Sequence, residues 1–373
     1  MTMRPDLDYV DEGVDLQDPA LYKPSRGRFG KASILAPIAY RSKVFADLED
    51  EKIWTRSWIC IGSQRDIPNV GDLLPYTVGN HGVHVQRDKD GLTGRYNLAQ
   101  HGGCRFVPTQ CQTGSKTRCS YTSCGYSRDR GVIAADELGD NTPTMRQYLG
   151  YRPERLLPVT AESAGPLLFV NLDPDAAPLA DRLEGAADAL ALDDAAAWEN
   201  AESFRVEYVA NWKLLGRALL RSLASEAKPA KKRGADVIVL PANADFSGAP
   251  ATVFWLLPNL ILLRGEGRLV SIVLQPTALE ETLARVRVSG ARPMEPAHAD
   301  ALRAAFDEAG DTAAGLQGEL ARFGTPSRPK TSLATLPLEE DRAAHLLQTY
   351  VIGRLLKRHE VHWSGPLYAA ALR

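Results

Sequence analysis

A chain of 373 residues is long enough for two domains with sizeable cores, and 24% charged with 44% hydrophobic residues is an ordinary globular balance without a disorder signature. A formal net charge of −2 argues against a nucleic-acid partner, which calls for a basic face, and no apolar run approaches the roughly 20 residues of a membrane span. The opening Met1-Thr2-Met3-Arg4-Pro5-Asp6 has no hydrophobic signal core, so a cytoplasmic location is expected, and five cysteines in such a chain do not suggest a disulfide scaffold.

Residues 1–50 are polar and contain proline, with one helix expected over 39–54. From Trp58 to Pro174, short β-type runs at 58–61, 74–77, 83–87, 92–97 and 166–172 alternate with Gly, Asn and Asp turns and read as a small all-β unit. Residues 176–201 are Ala-rich and acidic, with Leu179, Leu183, Ala187 and Leu190 at helical spacing, so a connecting helix is expected. A strand at 204–210 leads into a helix over 211–227 with Asn211 as its N-cap. Strands follow at 237–240, 251–257, 260–264, 269–275 and 284–289, then helices at 296–323 and 337–358. Long helices over an antiparallel sheet make an α+β layout. No internal repeat, phosphate loop or nucleophile elbow is present.

Four of the five cysteines, Cys104, Cys111, Cys119 and Cys124, fall in one short stretch. There, Ala99-Gln100-His101 is followed after 17 intervening residues by Cys119-Ser120-Tyr121-Thr122. The spacing is that of Cys-x-His followed by Cys-x-x-His, the ligand pattern of a Rieske [2Fe–2S] centre, in which two cysteines hold one iron and two histidines the other. Ala99 stands at the first Cys position and Thr122 at the last His position. Neither is a competent replacement, since a methyl has no donor and a hydroxyl binds iron poorly.

The surrounding residues extend the match. Asn97, Gly102-Gly103 and Gly125-Tyr126, the upstream Ile53-Trp54, Trp58, Ile61-Gly62 and Gly71-Asp72, the strand from Gly165 to Pro174, Ala210-Asn211-Trp212-Lys213, Leu257-Pro258-Asn259-Leu260 and the segment from Glu339 to Gln348 occur in an order resembling that of bacterial Rieske non-haem iron (aromatic ring-hydroxylating) oxygenase α subunits. The resemblance runs from about Leu48 to near the C-terminus. It implies a Rieske-like all-β domain plus a helix-over-antiparallel-sheet domain of the helix-grip, Bet v1/START-like type. The expected divisions are an N-terminal segment at 1–56, the Rieske-like domain at 57–174 and the catalytic-type domain at 175–373.

It also implies which positions would carry the chemistry. Members bind Fe(II) with two histidines and a carboxylate. The corresponding positions are Ala224, Pro229 and Asp341, and no histidine lies between His101 and His298 to replace the missing pair. The family's carboxylate bridging cluster and iron across a subunit boundary corresponds to Arg221, of opposite charge. Cluster, iron site and bridge are thus all depleted, so neither [2Fe–2S] nor Fe(II) is expected, and His101 and Cys119 read as remnants. Zinc at Cys104, Cys111, Cys119 and Cys124, a Cys104–Cys124 disulfide, and buried free thiols in a repacked loop are the alternatives for the cysteine cluster. Arg217, Arg221, Ala224 and Lys228 share one helix face. Arg221 is expected to neutralise Asp341 by an Arg–carboxylate fork; an anion pocket and a solvated face are the other readings.

Among the remaining polar residues, Lys228, Lys231, Lys232 and Arg233 read as a solvated basic loop, and His359 and His362 as surface residues. His81 and His84 read as turn and strand residues without acidic company, and Cys60 as core. The function expected from this pattern is a catalytically degenerate pseudo-subunit of an active Rieske oxygenase paralogue, assembled as stacked trimers. The alternatives are a metal-free enzyme or small-molecule-binding protein using the vacated pocket formed by Arg217, Arg221 and Asp341, and an active oxygenase with unorthodox ligands.

Overall fold

The structure, a computed structural model, describes residues 9–96, 134–135, 157–225, 231–233, 236–243, 246, 250–322 and 341–357. Two short strands, β1 (Val10–Asp11) and β2 (Val14–Asp15), form a hairpin that sequence patterning does not reveal. The expected first helix is two, α1 (Ile38–Arg41) and α2 (Lys43–Lys52). Ser42 is extended between them, and its hydroxyl caps α2 by accepting Phe45 N–H at 3.0 Å.

A six-stranded antiparallel sheet follows, built from β3 (Ile59–Ser63), β4 (Leu73–Val78), β5 (His81–Asp88), β6 (Gly91–Tyr96), β7 (Pro158–Ala164) and β8 (Leu167–Asn171), in the order β3-β8-β7-β6-β5-β4. Its middle is covered on both faces: Val83, His84 and Val85 of β5 are fully buried, while Gln86 and Arg87 towards the strand end are partly exposed. β7 was not expected. Its Pro-Val-Thr-Ala-Glu-Ser-Ala sequence is half polar, and pairing with β8 makes it a strand.

The expected connecting helix is broken into α3 (Leu179–Leu183), α4 (Ala187–Leu190) and α5 (Leu192–Ala195). The breaks coincide with left-handed backbone at Gly185 (φ 79°) and Ala191 (φ 42°), which a continuous right-handed helix excludes.

The second sheet has seven strands: β9 (Glu199–Tyr208), β10 (Lys231–Arg233), β11 (Val237–Pro241), β12 (Thr252–Leu256), β13 (Leu260–Gly265), β14 (Arg268–Ala278) and β15 (Glu281–Gly290). All pairs are antiparallel, in the order β10-β11-β12-β13-β14-β15-β9. Residues 231–233, expected as a solvated loop, are the edge strand β10, recruited by backbone pairing to β11. Helices α6 (Trp212–Leu223), α7 (Pro296–Leu320) and α8 (Arg342–Leu355) pack with this sheet, with α6 in contact with α7, α8, β12 and β14. Antiparallel sheets with helices packed over one of them give the α+β class expected from the sequence. One contiguous apolar core runs from the six-stranded sheet through α6 to α8. Among the described residues, no helix is long and apolar enough to cross a membrane.

Candidate functional site

The site grows from the sequence Asn211-Trp212-Lys213. The Asn211 side chain caps α6, accepting Lys213 N–H at 3.2 Å, and its amide donates to the Leu279 carbonyl at 2.8 Å. Leu215, Leu219, Leu220 and Leu223 bury the apolar stripe of the helix, and Gly216 lets α6 lie directly on the Trp255 ring. With that stripe fixed, Lys213 and Arg217, one turn apart, face α2 and the start of α8.

Arg217 Nε donates to Asp341 Oδ2 at 2.8 Å, the side chains being 13% and 9% exposed. Asp341 is also the N-cap of α8, its Oδ1 accepting Ala344 N–H at 2.8 Å. The carboxylate is therefore engaged through both oxygens. The expected ion pair exists, but its cation is Arg217, not Arg221: Arg221 lies one turn further on and is exposed. The two arginines share a helix face, and it is the one a turn nearer the helix start that lies level with Asp341.

The expected helix also ends early. Leu223 is its last residue, and Ala224 is extended (φ −90°, ψ 148°) in an antiparallel bridge to Ala242. Ser225 N–H donates to the Pro241 carbonyl and Asn243 N–H to the Leu223 carbonyl, both at 2.9 Å, so β-type pairing replaces the next helical turn. At the described positions that the resemblance assigns to an iron site, the chain has a methyl at Ala224 and, at Asp341, a carboxylate already shared between Arg217 and a helix cap. These residues do not fit a two-histidine–carboxylate Fe(II) site. Pro229, the third position, lies outside the described residues, as do Ala99, His101, Cys104, Cys111, Cys119, Thr122, Cys124, Lys228, His359 and His362. Among the described residues, no group of three or more His, Cys, Asp or Glu side chains could hold a metal.

The cavity bordered by Tyr40, Lys213, Arg217 and Gln348 measures about 20 Å³, room for about one water molecule. The N-terminal segment packs over it: Gln348 Nε2 donates to the Ser25 and Ser33 carbonyls at 2.6 and 3.1 Å.

The most buried charges of this region were not foreseen. Lys213 Nζ lies 2.8 Å from Glu49 Oε1 on α2, and Trp212 Nε1 donates to Glu49 Oε2 at 3.4 Å. The ammonium sits 5.2–5.5 Å from the Tyr40, Phe45 and Trp212 ring centres. Burial pushes the Glu49 carboxyl up and the Lys213 ammonium down, and each opposes the other's shift by charge and hydrogen bonding. The signal was a lysine directly before the buried stripe of an amphipathic helix, a cation that needs a carboxylate partner.

In the six-stranded sheet, His81 Nε2 lies 3.2 Å from Asp50 Oδ2. Acidic company thus comes from α2, distant in sequence, contrary to expectation. His84 is fully buried opposite Arg95, with no hydrogen-bond partner at either ring nitrogen. Burial, reinforced by the Arg95 charge, lowers its pKa to about 3. Cys60 is core as expected, burial raising its thiol to about 12.

No family model matches the chain. In sequence it is 25% identical over 181 residues to the carnitine monooxygenase oxygenase subunit of Acinetobacter baumannii, covering 48% of this chain and 47% of that protein. It is 29% identical over 192 residues to the glycine betaine monooxygenase oxygenase subunit of Chromohalobacter salexigens, covering 51% and 41%. It is also 29% identical over 146 residues to the biphenyl 2,3-dioxygenase α subunit of Rhodococcus jostii, covering 38% and 30%. The chain spans half or less of the length of these curated relatives. Its fold matches the apo form of the quaternary ammonium Rieske monooxygenase CntA (TM-score 0.59, 17% identity, 87% of this chain and 96% of that one). It matches naphthalene 1,2-dioxygenase with bound indole similarly (TM-score 0.56, 15% identity, 89% and 93%).

Proposed function

We propose that this chain, whose sequence relatives are Rieske oxygenase subunits and whose fold is theirs, is a catalytically degenerate α-like pseudo-subunit that assembles with an active paralogue and supports its stability or substrate access. The observation that carries the reading is the Asp341 carboxylate. One oxygen holds Arg217 and the other caps α8, while Ala224 presents a methyl group where a ligand would be needed. An Arg–carboxylate pair then holds α6 to α8, the mechanical role a shared metal would otherwise fill. Depletion of Ala99 and Thr122 in the cluster frame has the same sense. A cavity of about 20 Å³ beside Arg217 favours a structural role over a reused ligand pocket. On this reading the chain carries neither [2Fe–2S] nor Fe(II), forms its own trimer stacked on an active one, and works in the cytoplasm.

The test is co-expression with an intact paralogue, followed by metal analysis and a visible spectrum of the complex and of this chain alone. Co-purification, with iron and the cluster bands confined to the paralogue, is expected. A stable lone monomer in the presence of the paralogue would count against the assembly, and stoichiometric iron or cluster bands in this chain alone would restore the active oxygenase reading.

A further inference from the structure

We infer that the junction of α3, β11 and α8 is a binding site for a small oxyanion, a phosphate or a carboxylate. Asp236, immediately before β11, is buried, and its Oδ2 receives Arg354 Nη2 of α8 at 2.8 Å. The same oxygen also receives Arg182 Nη1 of α3. Arg182 Nη2 donates to the Leu257 carbonyl at 3.3 Å. Tyr350, over whose ring the Arg354 guanidinium lies at 5.3 Å, places its hydroxyl 3.2 Å from Ser57 Oγ. Two guanidiniums thus converge on a single carboxylate, with the Tyr350 phenol hydrogen-bonded to Arg182 beside them.

Among the described residues the site has an excess of positive charge. Each guanidinium offers five N–H groups and accepts none. Among the described residues, no carboxylate other than Asp236 pairs with either arginine. Among these residues one positive charge is left over, in a place where unpaired charge is costly. Burial lowers Arg182 to about 10; Tyr350 opposes the shift by charge and hydrogen bonding, and the neighbouring charge of Arg354 adds to it. The arginine side chains are 17% and 19% exposed against 7% for Asp236, so the excess charge faces outward while its one counter-ion lies beneath. The adjoining cavity, bordered by Trp58, Phe169 and Leu179, measures only about 10 Å³. The ligand would therefore seat at the rim, held by the two forks, with its body in solvent. Such a ligand would bind two separate pieces of the chain at once, the connecting segment through Arg182 and helix α8 through Arg354. It acts as an effector of stability. This inference stands apart from the pseudo-subunit reading and uses none of its residues.

The experiment is thermal unfolding of the full chain titrated with inorganic phosphate and separately with acetate, against potassium chloride at matched ionic strength. A saturating rise in midpoint with either oxyanion, absent with chloride, is expected by mass action. Preference between the two assigns the ligand as phosphate or carboxylate. Arg354→Gln should weaken the oxyanion by about tenfold or more, and Asp236→Asn, which removes the competing internal carboxylate, should tighten it by about tenfold. If Arg354→Gln does not fold, the wild type and Asp236→Asn decide. No saturable rise in the wild type, or an unchanged response in Asp236→Asn, overturns the proposal.

Discussion

At the scale of single residues, partner choice was set by a displacement of about one turn along a single helix face. The sequence placed Arg217 and Arg221 on one face of α6 and an acid at Asp341, so an Arg–carboxylate fork was legible. Which arginine makes it depends on how Gly216 and the leucine stripe seat the helix on Trp255, a tertiary matter. Arg217→Ala leaves a largely buried carboxylate without its cation and should cost about 2–4 kcal/mol in urea unfolding, whereas Arg221→Ala, at an exposed position, should cost about 0.5 kcal/mol or less. His84 gives a second prediction. In the folded chain its pKa is lowered to about 3, below its ordinary value of 6.5. Above pH 6.5 the residue is neutral in both states and carries no penalty. As pH falls from 6.5 towards 3 the unfolded chain binds a proton that the folded chain refuses, so stability declines over that window by on the order of 3–5 kcal/mol. His84→Leu should flatten that decline in denaturant titrations from pH 7 to pH 4; an unchanged pH slope would show that the imidazole is not the group responsible.

At the scale of elements, the periodicities located most of the described helices and strands but missed β1, β2, β7 and β10, and several errors fall where neighbours overrule local pattern. The connecting helix divides where Gly185 and Ala191 take left-handed backbone, which a right-handed helix cannot continue through. The strand β10 forms from a basic run because β11 offers an unpaired edge, and α6 stops at Leu223 because Ala224 finds a backbone partner in Ala242. Glycines in two helices separate propensity from packing. Gly216→Ala gains about 1 kcal/mol of intrinsic helix propensity, yet the new Cβ would run into the Trp255 ring. A net loss of about 1–3 kcal/mol is expected. Gly315 and Gly318 of α7 face open space, so alanine at either should add about 0.4–1 kcal/mol. Thermal midpoints of the three variants check both signs.

At the scale of the whole molecule, the two sheets are joined by a polar clamp. Asn259, almost fully buried, accepts Cys60 N–H at 3.0 Å and donates to the Cys60 carbonyl at 2.8 Å, so one side chain serves as a strand partner across the interface. Arg287 of the second sheet reaches Asp66, and Arg285 lies 5.5 Å from the Tyr76 ring centre. Asn259→Ala strands a buried amide and carbonyl and should cost about 2–3 kcal/mol. Calorimetry should then resolve a broadened or split transition, because the contacts that make one sheet's unfolding require the other's are weakened; a sharp transition with an unaltered midpoint would show that the apolar core alone couples them. By itself, the sequence determined the α+β class, the order of most elements and which residues stand at the positions that the resemblance assigns to metal ligands, because periodicity and residue identity are local properties. Only the tertiary structure decided that Arg217 takes Asp341, that Glu49 answers Lys213, that Asp50 reaches His81, and that Arg182 and Arg354 converge on Asp236. Each of these pairs joins residues far apart along the chain, and electrostatic partnership depends on distance in space and on burial.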